Sequence, residues 1–586
     1  MEFGQSQNQV VFTNRARCRD CCRCIRVCPV EAIGIRDGQA YVDERRCISC
    51  GTCIRECPQQ AKSFRKDLAE VMDLVRNERV AVSIAPSFAC LFDDWQILRL
   101  PSALRKLGFS YVAETASGAA WVAEKTADYV QQHPNRLSIV TACPAVVQYV
   151  VRYRPTVREN LVPVVSPMLA HGRALKERLG PETKVVFIGP CVAKKAEAQA
   201  DPNHAVDAVL TFTELLEWFQ MARINLTDFE ESTFDESPAK IARIFPLEGG
   251  SLKTASLPVE YCQTQSITVS GFASVCDALD GAAAIEGGCV LEPLFCGQGC
   301  INGPVIGCDK PLFERKRRML DYLNNSDDGI ATLPPVELAQ VFADCRLGDE
   351  GAAEEQIRHV LEKTGKENPE DQLNCGACGY PTCRRQAIAV LRKMAEPEMC
   401  VSYVRRIAEQ RTDRIIETSP NGIVILDNHL TILHMNSSFK RLFMCTESAC
   451  GKTISYLMDP DPFQNVAAAQ QELVEATIHH EKYNLFCHQI IYALRPESQI
   501  VGVFVNLTRT VKDKRKYNEL RTQTLQQARN LLRQQVEMAG KIAEYLGQST
   551  AESEKLLVNL MQIAQDNPVQ DKLESAGWLK DIYTSK

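Results

Sequence analysis

From about residue 80, short apolar runs alternate with longer amphipathic stretches. RVAVSIAP (79–86), SIVTACP (138–144) and KVVFIGPC (184–191) each have the length and β-branched content of a buried strand. Between them, 116–132 and 167–179 carry the spacing of helices. Apolar strands alternating with helices predict parallel sheets covered on both faces. Ligands in such folds collect just beyond the carboxyl ends of strands, which is where Cys143 and Cys191 stand.

The period changes near residue 408. RIIETSPNGIVILDNHLTILHMNSSFKRLF (414–443) predicts a helix, a strand, an Asp-Asn turn, a second strand and a short helix capped by Asn; IVGVFVNLT (500–508) predicts a closing strand. The tail from 511 opens on the basic run VKDKRKYNELR. Leu525, Leu532, Ala539 and Leu546 then recur every seven residues, with Ala528 and Ile542 on the adjoining face, as in a short heptad seam. Gly547 ends the seam, and STAE (549–552) reads as the capping box of a second helix over 550–565. Such a seam predicts a homodimer or a docked signalling partner; the plainer alternative is a helix folded back on its own domain.

At 586 residues the chain is too long for one core, and ~150 residues per domain suggests about four. With 67 basic and 73 acidic residues, net −6, it has no excess of charge directed at nucleic acid or an anionic membrane. No stretch reaches the ~18 uncharged apolar residues of a membrane span, and MEFGQSQNQVVF lacks the layout of a signal peptide. A soluble, cytoplasmic protein is expected. The 26 cysteines are the exception to an ordinary composition. In a reducing compartment they favour metal or redox chemistry over disulfides.

Residues 18–29, CRDCCRCIRVCP, place Cys18, Cys21, Cys24 and Cys28 in C-x2-C-x2-C-x3-C-P spacing, and 47–58, CISCGTCIRECP, repeat it at Cys47, Cys50, Cys53 and Cys57. The doubled run resembles the two-cluster bacterial ferredoxins, in which the fourth cysteine of each run serves the other cluster. That implies one 4Fe-4S site from Cys18, Cys21, Cys24 and Cys57 and another from Cys47, Cys50, Cys53 and Cys28. Zinc, the alternative, usually takes separated ligand pairs. Cys22 is spare and reads as an ordinary small side chain.

Cys296 and Cys300 join Cys143 and Cys191 as a set of four from three loops. TACP (141–144), GPCVAKKAE (189–197) and EPLFCGQGCINGP (292–304) resemble, in order and context, the three signature loops of iron-only (FeFe) hydrogenases, and SIAPS (83–87) and VSPM (165–168) resemble further pocket segments. The resemblance spans roughly residues 10–310. It implies an H-cluster, a 4Fe-4S cubane joined to a di-iron azadithiolate unit with carbonyl and cyanide ligands. Cys143, Cys191, Cys296 and Cys300 would hold the cubane, and Cys300 would bridge to the di-iron unit. Lys194 would hydrogen-bond a cyanide; outside this motif it would read as a solvated lysine. Ala85, Pro86, Ser87, Ala142, Ser166, Pro167, Met168, Pro190 and Leu294 would line the pocket.

The chain also departs from that family. Where members read Cys-Cys-Pro, the proton-relaying first cysteine is Ala142, and the methionines of the second and third loops are Gly189 and Leu294. The helix after ETASGAA (114–120) places Thr126 and Tyr129 where the family has relay glutamates, with Glu124 nearby. No metal ligand is lost, but the fast proton route is, and positioned acid–base groups contribute ~10²–10⁴-fold. Slow turnover is expected.

Further on, NCGACGYPTC (374–383) with Cys400 places Cys375, Cys378, Cys383 and Cys400 in a pattern resembling a small 4Fe-4S domain, a zinc site being the alternative. Residues 408–510 resemble a PAS domain, a five-stranded antiparallel sensor sheet, in which Cys445, Cys450, Cys487 and His488 read chiefly as structural residues. The expected architecture is multidomain α/β and α+β. It comprises a ferredoxin-like domain (1–75), an H-cluster domain (76–325), a small 4Fe-4S domain (326–407), the PAS domain and a coiled-coil tail (511–586). Together these resemblances imply a sensory FeFe hydrogenase. It would carry the H-cluster and three further 4Fe-4S clusters, act on H2 and protons, and signal through a downstream protein, with ferredoxin or another electron carrier as a possible partner. The competing expectations are a metabolic ferredoxin-linked hydrogenase and an iron–sulfur scaffold without the di-iron unit.

Overall fold

The computed structural model describes residues 9–258, 266–282, 288–329, 334, 336–348, 352–468, 471–494, 498–508, 524 and 526–538. Chain contacts divide at residue 400 into two units, Met1–Met399 and Cys400–Lys586.

The first unit contains two parallel sheets. One has four strands in the order Tyr111–Glu114, Val80–Ile84, Lys184–Gly189 and Ala208–Thr211. The other has three, in the order Ser266–Ser270, Cys289–Leu294 and Leu137–Ile139. Helices Ala116–Gln132 and Pro167–Leu179 lie where the periodicity placed them. The expected strand 138–144 is shorter, ending at Ile139. Beyond it Cys143 is extended, and Pro144 starts helix Pro144–Tyr153. The same construction recurs at Ala85–Pro86 and Ser166–Pro167, where an extended residue precedes a proline that opens a helical turn.

Ahead of these sheets, the cysteine repeat folds as a structural repeat. Strands Val11–Thr13 and Lys62–Phe64 pair, as do Ile33–Arg36 and Gln39–Val42. Short helices Arg23–Val27 and Thr52–Arg55 follow the two cysteine turns. Left-handed residues recur at Asp20 and Ser49, Cys22 and Gly51, and Glu31 and Gln60, each pair 29 residues apart like the cysteines themselves. Cys22 therefore occupies the turn position that glycine fills in the second run.

The segment around 374–399 packs on this repeat. Met394 O accepts from Ile35 N at 2.9 Å, Tyr41 Oη donates to Lys393 O at 2.9 Å, and Arg26 donates to Ala377 O at 2.8 Å.

The second unit has one five-stranded antiparallel sheet, ordered Ile432–Met435, Gly422–Asp427, Gln499–Asn506, Leu485–Leu494 and Leu473–His480. Phe439, Phe443, Phe463 and Phe504 fill its core. Asn436 caps the short helix as expected, accepting from Phe439 N and Ile423 N at 2.8 Å each. Residues 526–538 are helical. Leu525, Ala539, Ile542, Leu546 and the expected helix 550–565 lie outside the described residues. Among the described residues no helix is long and apolar enough to cross a membrane.

Candidate functional site

The ferredoxin-like cysteines gather in two cavities. Cys28, Cys47, Cys50 and Cys53 line one, and Cys18, Cys21, Cys24 and Cys57 the other, so the fourth cysteine of each run crosses over. Backbone N–H groups point at the sulfurs: Ala32 N reaches Cys28 Sγ and Ala61 N reaches Cys57 Sγ, each at 3.2 Å. Among the described residues no three or more His, Cys, Asp or Glu side chains close around a single ion; these sulfurs stand around a cavity, as the corner ligands of a cubane do. The donor sets therefore fit iron–sulfur clusters.

Beyond the strand ends, Cys143, Cys191, Cys296 and Cys300 come together. Burial first, then Cys191, Cys300 and Cys143, push the Cys296 thiol up; burial and Cys143 push Cys191 up to about 11. Cys50 also acts on Cys296, and Gly51 packs against Pro304 and Val192, so the second ferredoxin-like cavity adjoins this group. Gly299 has φ 89°, and a Cβ there would collide with Pro246 O, which accepts from Cys300 N at 2.7 Å. Glycine is required for the loop to bring Cys300 this close.

The surrounding chain suits an anionic group. Helices Pro144–Tyr153 and Pro167–Leu179 begin at the pocket segments, presenting the positive ends of their dipoles. Ser87 and Ser166 hydroxyls are buried and find no partner among the described residues, leaving donors for a ligand such as cyanide. Lys194 is mostly buried, pairs with Glu197 at 2.7 Å and lies 3.5 Å from Ala142 O. It is thus not a solvated lysine. Its neighbour Lys195 is fully buried, bonding Asp67 at 3.1 Å and Glu214 at 3.0 Å, which anchors the start of helix Ala193–Ala200. Ala85, Pro86, Met168, Pro190 and Leu294 are buried, while Ala142 is half-buried. Of the three residues on the relay helix, Thr126 is buried, Tyr129 stacks on His133 at 4.2 Å, and Glu124 faces outward.

Several buried acids were not anticipated, Glu292 and Glu236 among them. Glu292 accepts from Ser251 N and Leu252 N at 3.2 Å, and burial raises its carboxyl to about 7. Its position inside the apolar run VLEPLF was the available signal. Glu236 bonds the buried His171, which also bonds Ser83 Oγ at 2.8 Å; burial opposes the ionised form, but the His171 bond and charge hold Glu236 at about 2.

Cys375, Cys378 and Cys383 lie in the first unit, and Thr382 caps the helix that begins at Cys383. Ile25 meets Gly379 there, and Cys378 joins the packing of the ferredoxin-like repeat. Cys400 opens the second unit at the start of helix Val401–Thr418. In the sheet, Cys487 is buried and pushed up to about 12 by burial, and His488 is held by Thr477 at 3.0 Å and Glu475 at 2.7 Å.

Comparison with curated proteins gives no match. Family models match four segments: the 4Fe-4S dicluster domain at 17–61, the iron only hydrogenase large subunit, C-terminal domain, at 78–304, an Fe-S cluster family at 371–402 and the PAS domain at 410–476. Similar solved structures include an FeFe-hydrogenase described for oxygen inactivation of its H cluster, 15% identical with TM-score 0.40 over 48% of this chain and 100% of that one. A variant FeFe-hydrogenase from Chlamydomonas reinhardtii is 16% identical with TM-score 0.40 over the same shares. The PAS domain of an HTR-like protein from Haloarcula marismortui is 20% identical with TM-score 0.15, over 18% of this chain and 96% of that one. The chain thus joins a segment matching the iron only hydrogenase large subunit, C-terminal domain, to segments matching a 4Fe-4S dicluster domain and a PAS domain.

Proposed function

We propose that this protein is a sensory FeFe hydrogenase, reacting slowly with H2 or protons and passing its redox state toward the PAS domain. Cys143, Cys191, Cys296 and Cys300 would hold the H-cluster. When bound, that group supplies a metal site at which H2 is cleaved or formed. The chain's part is to position and to limit. Lys194, steadied by Glu197, aims a cation into the pocket. Ser87 and Ser166 offer unpaired hydroxyls. Ala142 presents a methyl group where a relay would need an exchangeable proton.

The observation that carries the sensory reading is the combination in one chain of intact cluster cysteines, a methyl group at Ala142 and a PAS domain at 410–476. The metabolic alternative shares the first feature and is disfavoured by the other two. Hydrogen–deuterium exchange by the matured full chain tests the proposal. Slow exchange, abolished in Cys300→Ala, is expected; no exchange in a chain that holds iron and sulfide for its cubanes but takes up no di-iron unit would leave the scaffold reading in its place.

A further inference from the structure

The ferredoxin-like repeat is symmetric in its cysteines and asymmetric in what surrounds them. Residues 29 apart correspond, and at one such pair the first run has Ile33 and the second Lys62. Ile33 lines the cavity of Cys28, Cys47, Cys50 and Cys53, whose wall is otherwise apolar apart from the cysteines. Lys62 lines the cavity of Cys18, Cys21, Cys24 and Cys57.

Lys62 is 3% exposed, and its ammonium donates to Thr13 Oγ1 at 2.6 Å. Among the described residues it forms no ion pair with a carboxylate. Its charge is therefore screened neither by water nor by a counter-ion. The other charged groups at that cavity, Arg19, Arg23 and Asp20, sit at its outer rim, where solvent screens them. Lys62 lines only the first cavity, and its charge acts on Cys24 there and on Cys28, Cys47 and Cys53 of the neighbouring one.

On the reading that both cavities hold 4Fe-4S clusters, we propose that Lys62 is a potential-setting residue that makes the Cys18/Cys21/Cys24/Cys57 site the better electron acceptor of the pair. Reducing a cluster adds one electron and breaks no bond, so a fixed buried cation stabilises the reduced form and raises the potential. The lysine lines one cavity and Ile33 takes its place in the other, so the two potentials separate. Position gives that separation a direction. The site without the lysine adjoins the hydrogenase-type cysteines through Cys50 and Gly51. The site with it adjoins the 375–383 cysteines through Ile25 and Arg26. Electrons drawn from the hydrogenase-type pocket would run downhill away from it.

The test is a dithionite titration of the cluster-loaded full chain followed by electron paramagnetic resonance, comparing wild type with Lys62→Met and Lys62→Arg. Lys62→Met should lower the reduction constant of the more easily reduced ferredoxin-type site at least tenfold relative to its neighbour, 59 mV for one electron. Lys62→Arg should restore it. An unchanged separation in Lys62→Met, with iron and sulfide content equal to wild type, would overturn the proposal. If wild type itself held too little iron and sulfide for two cubanes, the cluster reading would fall, and the proposal with it.

Discussion

Replacing Lys195 with methionine removes a buried cation from between two buried acids. Lys195 and Glu214 are fully buried and Asp67 nearly so. At ~3 Å and an effective dielectric of ~20, each attraction is worth roughly 5 kcal/mol before desolvation is counted. Desolvation cancels most of that while the network is intact, but removing one partner leaves the other charge stranded. Asp67 would retain Arg65 at 2.8 Å, whereas among the described residues Glu214 would keep only neutral donors, Thr211 and the Asp67 amide. The expected cost is about 3–5 kcal/mol. Urea unfolding followed through Trp218, on the same helix as Glu214, should show the midpoint falling by roughly 1–2 M for a slope of ~2–3 kcal/mol/M. Adding Glu214→Gln should recover most of the loss, because the stranded charge is then gone. A single variant unfolding with wild type, or a double variant no better than the single, would refute the reasoning.

Three further substitutions probe other parts of the molecule. A side chain at Gly189 would place its Cβ 2.5 Å from the Phe187 ring, so Gly189→Met should cost about 1–3 kcal/mol by overpacking; thermal unfolding should show Phe187→Ala relieving it. Glu292 has its carboxyl raised from 4.5 to about 7 by burial, so its contribution is fully present below pH ~4.5 and is lost as pH rises through ~7, by roughly 3 kcal/mol. Denaturation across that range should show Glu292→Gln flattening the decline. Asn436 accepts from two backbone amides and donates to Ile416 O and Asn421 O at 2.8 Å each, so Asn436→Ala should destabilise the second unit by about 2–4 kcal/mol, measured by its urea midpoint.

Much of this architecture could be read from local pattern. Cysteine spacing carried the resemblance to two-cluster ferredoxins, and that resemblance implied the crossing of Cys28 and Cys57. Apolar runs located the parallel strands, and Asn436 marked its own helix. What escaped depended on contacts distant in sequence. Lys62 reads as an ordinary strand residue until the fold places Thr13 and the cluster cavity around it. Glu292 announces itself only as an acid in an apolar run, and its partners come from a helix forty residues earlier. The docking of the 374–399 segment on the first cysteine run joins residues more than 350 apart, and no periodicity encodes it. SIVTACP ran long because pairing with the neighbouring strand stops at Ile139, although Cys143 further on is still extended.

The most direct test of the central claim is infrared spectroscopy of the full chain matured with the di-iron cofactor, recorded under hydrogen and under argon, with turnover measured on the same sample. Carbonyl and cyanide bands that respond to hydrogen, together with feeble turnover, are the expected result. Responsive bands with rapid turnover would contradict the sensory assignment, and an absence of such bands after maturation would contradict the hydrogenase site itself.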